Sequence, residues 1–85
     1  MKILWEERAW MEYCNWQAED RKSLKKINIL IKDIIRNPFE GIGKPEALKG
    51  NLSGYWSRRI DKANRIVYSI DENSLKIISC KGHYE

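Results

Sequence analysis

At 85 residues the chain is long enough for one domain with one modest hydrophobic core. Its 42% hydrophobic and 33% charged content and its mean hydropathy of −0.64 exclude a disordered chain, and no apolar run approaches the roughly 18 residues a membrane-spanning helix needs. The formal net charge of +4 favours a polyanionic partner. The N-terminal run MKILWEERAW sets two acidic residues straight after a very short apolar stretch, unlike a secretory signal, so a cytoplasmic protein is expected. Cys14 and Cys80 match no CxxC or Cys/His ligand spacing, which predicts two reduced, half-buried thiols rather than a disulfide or a zinc site.

Residues 2–5 form a short apolar run with strand character. From residue 6 to 19 the spacing becomes helical, and Ala9, Trp10, Tyr13, Cys14 and Gln17 are the expected buried stripe. Asp20 is placed to cap a second helix, whose stripe is Leu24, Ile27, Leu30, Ile31, Ile34 and Ile35, opposite Lys22, Lys25, Lys26 and Lys32. Asn37-Pro38 ends it, because a proline disfavours helical geometry in the residue before it.

Residues 38–54 carry four glycines and two prolines and predict a long loop with one short strand at 47–49. A loop of that length in so small a domain points to function. Three strands follow at 55–61, 65–70 and 75–80, the last two joined by a tight turn over Asp71-Glu72-Asn73-Ser74. The fold class is therefore α+β, with two helices packed on one face of a mainly antiparallel twisted sheet, and the other face is expected to be open to a ligand.

Among polar residues, Glu46 follows a rigid proline in the long loop and reads either as a general base or as a solvated charge. Arg59 and Arg65 alternate against the apolar strand residues, so both point to the open face, where they read either as a phosphate-binding pair or as solubilising charges. His83 is the single histidine, and imidazole is the side chain best suited to proton transfer near neutral pH. Cleavage of RNA by its own 2′-hydroxyl needs a base, a cation for the charge gathering on phosphorus oxygens, and an acid for the leaving 5′-oxygen. Glu46, Arg65 and His83 can fill those roles in that order, without a metal or other cofactor.

These residues lie in the runs GKPEALKGNLSGYWSRRI, NRIVYSI and CKGHY, and with the helical segments Tyr13-Cys14-Asn15-Trp16-Gln17 and Lys25-Lys26-Ile27-Asn28 the chain resembles the YoeB/Txe group of the RelE/ParE toxin superfamily. The resemblance implies the strand-helix-helix-strands fold of that superfamily. It further implies a type II toxin that enters the ribosomal A site and cuts messenger RNA there, leaving a 2′,3′-cyclic or 3′ phosphate and a 5′-hydroxyl. A cognate YefM- or Axe-like antitoxin is implied as partner, alongside the ribosome and mRNA; no membrane is, and a homodimer stays open. Position by position, Glu46 takes the part of the base, Arg65 of the cation and His83 of the acid, while Lys49, Arg59 and Tyr84 match positions that hold the scissile phosphate or stack on a base. Glu85 departs from the commonest ending of the group. The alternatives are a non-catalytic binder of RNA or ribosome, a gyrase-directed toxin of the same fold, and a partner-binding scaffold whose activity has decayed.

If Glu72-Asn73 is a two-residue hairpin loop, Arg65 faces Cys80, and a regular strand continued to the C-terminus turns His83 towards the helices. Gly82 predicts the remedy, a bulge or break of pairing near Lys81-Gly82 that returns His83 to the face of Arg65.

Overall fold

A computed structural model describes residues 1–83. The chain runs β1 (Lys2–Trp5), α1 (Glu7–Glu19), α2 (Arg21–Arg36), β2 (Glu46–Ala47), a 3₁₀ turn (Gly50–Leu52), β3 (Trp56–Arg59), β4 (Arg65–Ile70) and β5 (Ser74–Ser79). The strands form one sheet in the order β1-β5-β4-β3-β2. Three pairings are antiparallel, and β1 joins β5 in parallel after the two-helix crossover. The α+β architecture read from the sequence is the one observed. Among the described residues no helix is long and apolar enough to cross a membrane.

Asp20 alone separates the helices. Its backbone is extended (φ −157°), its N–H ends α1 on the Trp16 carbonyl, and its carboxylate accepts from the N–H groups of Lys22 and Ser23 at the start of α2. On α2, Ile27, Leu30, Ile31 and Ile34 are buried as expected, but Ile35 is exposed. On α1 the stripe differs more. Ala9 and Trp16 are buried and Tyr13 half-buried, whereas Trp10, Cys14 and Gln17 face solvent.

The cause lies at the end of β5. There Glu12 Oε1 accepts from Cys80 N (2.8 Å) and Trp16 Nε1 donates to Cys80 O (2.8 Å), so the helix turns its 9-12-13-16 face to the sheet. Cys80 is fully buried beneath that contact and Cys14 is exposed, so neither thiol is half-buried. Burial first, and the Glu12 charge second, push the Cys80 thiol up to about 12, which keeps it protonated and unreactive.

The helix-facing side of the sheet contributes Ile60, Ile66, Tyr68, Leu75 and Ile77 to the core, and among them stands the wholly buried Arg58. Its guanidinium donates to the Asp33 carboxylate on α2, to the carbonyls of Asn37, Glu40 (2.9 Å) and Ile42 (3.2 Å), and through Nε to the Tyr68 hydroxyl (3.2 Å). Tyr68 donates in turn to the Pro38 carbonyl (2.7 Å). One side chain thus fixes residues 37–42 against the sheet. Gly41, at φ +127°, passes so close that a Cβ there would lie 2.0 Å from Asp33 Oδ2. The Gly43 carbonyl then accepts from Arg59 N (2.7 Å), and the loop re-enters the sheet as β2, at Glu46–Ala47 rather than 47–49.

Removing one partner of a buried, fully bonded charge is expected to cost about 3–5 kcal/mol. Arg58→Met should therefore lower urea stability by that amount, and a loss below about 1 kcal/mol would show that the loop is held by other contacts.

Hydrogen bonds hold the carboxyls of Asp20, Asp33 and Asp71 below the ordinary aspartate value, that of Asp33 chiefly through Arg58. A depressed folded-state value gives stability that is full above the unfolded value of about 3.9 and is lost as pH falls through the folded one. Acid titration of unfolding should show stability falling only below about pH 4, with a shallower fall in Asp33→Asn.

Candidate active site

The sheet face turned away from the helices carries the polar residues singled out above. Glu46 is paired with Ser57, Ser57 with Val67, and Val67 with Ser79, so these four stand in one row across β2, β3, β4 and β5. Arg59 is paired with Arg65 and, two residues along each strand, shares the same face. The two guanidinium-bearing residues therefore stand directly opposite each other, Arg59 exposed and Arg65 buried. The face is a trough rather than a flat sheet. Ser57, Val67 and Arg65 on its floor are buried, as is Leu48 just after β2.

The hairpin register is the one expected, with Ile70 facing Leu75 and Tyr68 facing Ile77, but Val67 then faces Ser79. One extra residue, Ile78, has been taken up in β5, so the bulge sits earlier than Lys81-Gly82. Its effect on parity is the one required. Ser79 now shares the face of Val67, and His83 lines a groove of about 300 Å³ with Val67, Ser79 and Ile78. Leu52 and the cations Arg8 and Lys81 complete the lining.

Gly82 adds a second bend, at φ +79°, and both of its polar backbone groups are held. Its N–H donates to Asn64 Oδ1 (2.8 Å) and its carbonyl accepts from Arg65 N (3.0 Å). Arg65 turns Nη1 to the carbonyls of Asp61 (2.9 Å), Asn64 (3.2 Å) and Lys62 (3.4 Å), in the loop between β3 and β4. Burial pushes the Asp61 carboxyl up, but hydrogen bonds from Asn64 and Ala63 outweigh it and leave the group below the usual aspartate value.

Glu46 and Arg59 are exposed along the same face, and Lys49 is exposed just beyond β2, at the start of the 3₁₀ turn. Tyr84 lies outside the described residues. Two contributors escape a reading of the sequence. Arg8 enters the groove from α1, where its Nε pairs with Glu12 Oε2 at 3.0 Å, and nothing in a helical charge pattern marks it. Asn64 looks like a turn residue, and only its bond to a residue 18 positions away gives it a part in the site. Among the described residues no three His, Cys, Asp or Glu side chains gather as a metal site.

With this geometry in view, the likeness to known proteins is informative. The family model described as the YoeB-like toxin of bacterial type II toxin-antitoxin systems matches residues 5–84. Toxin YoeB of Synechocystis is 58% identical over 85 residues, covering 100% of this chain and 99% of its own. Two solved structures from Staphylococcus aureus, a YoeB dimer and a heterotetrameric YoeB-YefM toxin-antitoxin complex, superpose with TM-scores of 0.93 and 0.92. Each is 52% identical and covers 99% of this chain and 98% of the solved one. The chain belongs to the YoeB-like family of toxins of bacterial type II toxin-antitoxin systems.

Proposed function

We propose that this toxin is a metal-independent endoribonuclease that cuts messenger RNA in the ribosomal A site. The observation that carries the reading is the common sheet face of Glu46, Arg59 and Arg65, with the His83 groove opening onto the same face. In the reaction the Glu46 carboxylate takes the proton of the 2′-hydroxyl, and the oxygen so freed attacks the adjacent phosphorus. Arg65 and Arg59 offset the charge that collects on the non-bridging oxygens. The His83 imidazolium gives its proton to the departing 5′-oxygen, so a 2′,3′-cyclic phosphate and a 5′-hydroxyl remain. Lys49 holds the flanking phosphate and Tyr84 stacks on a base.

The ribosome presents the message in an extended, fixed path and completes the site. An exposed base on a two-residue edge strand and a shallow groove do not by themselves align a flexible RNA. A YefM-like antitoxin is the proposed partner, acidic in the part that covers the arginine-rich face, and a dimer of the chain is proposed by analogy with the Staphylococcus aureus toxin. A gyrase target is disfavoured because a base, cations and an acid on one face suit phosphodiester cleavage.

Single-turnover cleavage of ribosome-bound message tests the assignment. Glu46→Gln and His83→Gln are each expected to slow it about 10²- to 10⁴-fold at unchanged ribosome affinity. Full activity in either variant would remove that residue from the chemistry, and full activity in both would return the protein to a binding role.

Lys22, Lys25 and Lys32 are exposed on the outer side of α2 and Lys26 is half-buried there, and these four are the proposed contacts to ribosomal RNA. Replacing all four by glutamine should weaken ribosome binding and reduce its dependence on salt, with little change in thermal stability. The log-log slope should fall by about 0.7 to 0.9 for each phosphate that the variant no longer neutralises. Unchanged binding would leave these lysines as a merely solvated helix face.

A further inference from the structure

A general acid must be held in place to act, and the loop between β3 and β4 supplies a contact that can hold the backbone beside His83. Asp61 Oδ1 accepts from the N–H groups of Ala63 and Asn64, both at 2.8 Å, and so closes the turn. The two Asp61 oxygens also accept from Asn64 Nδ2, each at 3.1 Å. An ionised carboxylate can only accept, so the amide nitrogen of Asn64 must face Asp61 and its oxygen must face the other way. That oxygen meets the N–H of Gly82, one residue before His83.

Gly82 sits in the left-handed region beyond the end of β5. The Asn64 side chain holds its N–H from the β3–β4 loop, and the backbone N–H of Arg65, at the start of β4, holds its carbonyl. The same loop fixes Arg65 through three carbonyls. Proposed cation and proposed acid are thereby referenced to one small hydrogen-bonded turn.

We propose that Asn64, oriented by Asp61, is a positioning residue that sets where His83 stands relative to Arg65 by gripping the Gly82 N–H. The proposal rests on the assignment of His83 as general acid. Asn64 touches no reacting atom; it acts through the backbone that carries the imidazole. A misplacement of about 1 Å in such a group costs up to about a hundredfold in rate, which sets the size of the effect to look for.

The test combines cleavage kinetics on ribosome-bound message with amide exchange of the isotope-labelled full chain. In Asn64→Ala, kcat should fall about 10- to 100-fold with KM unchanged, and the Gly82 amide should exchange about tenfold faster while amides of β4 keep their protection. The double exchange Asp61→Asn with Asn64→Asp restores an amide-carboxylate pair of reversed polarity and an acceptor for the Gly82 N–H, and it should recover most of kcat. Wild-type kcat in Asn64→Ala, an unaltered Gly82 amide, or a double exchange no better than alanine would each overturn the proposal. If the unmodified protein leaves the message intact, the cleavage reading fails, and the Gly82 amide still decides whether Asn64 holds the C-terminal segment.

Discussion

The structure turns on a buried arginine. Arg58 lies on the helix-facing side of the sheet, wholly out of water, and its guanidinium meets a carboxylate, three backbone carbonyls and a phenol. A planar group with five donors is the one side chain that can satisfy so many acceptors at once, whereas lysine would leave several unpaired. The consequence reaches the opposite face. Residues 37–42 are fixed by Arg58, Gly43 is then led into register beside Arg59, and β2 follows with Glu46 paired to Ser57. The position of the proposed base depends on an ion pair formed behind the sheet.

A second constraint acts at the other end of the face. β5 is held from two directions where it leaves the sheet: α1 bonds the N–H and the carbonyl of Cys80 through Glu12 and Trp16, while Asn64 of the β3–β4 loop bonds the N–H of Gly82 and Arg65 N, at the start of β4, its carbonyl. Between the two anchors the chain has one residue, Lys81, whose ammonium lies 3.7 Å from Glu19 and over the Trp16 ring. The segment carrying His83 is a strapped extension of β5. These contacts join residues far apart in sequence, which is why they are invisible in local composition.

The order of elements was legible in the sequence because each has its own periodicity: alternating strands after residue 55, a clear helical stripe over Ile27, Leu30, Ile31 and Ile34, and a capping aspartate between the helices. The face of α1 was not. Hydrophobic spacing nominated Trp10 and Cys14, yet the polar tips of Glu12 and Trp16 chose the orientation by bonding to a strand more than sixty residues away. The parallel pairing of β1 with β5 has no local mark either, since nothing in a four-residue strand names its neighbour. Alternation does place Arg58 beside Trp56 and Ile60, so an arginine on the core face was a signal available to reading. The bulge was demanded by the placement of His83, but its site was not, because Ile78 is not a residue that invites one.

Glu46, Arg65 and His83 are proposed to act together on one phosphodiester bond of a message held by the ribosome. Mapping and mass analysis of the RNA ends left on programmed ribosomes test it most directly. Breaks should be confined to the A-site codon, with a 2′,3′-cyclic phosphate on one fragment and a 5′-hydroxyl on the other, and naked RNA should be cut little. Intact message, or ends bearing a 5′-phosphate and a 3′-hydroxyl, would contradict it.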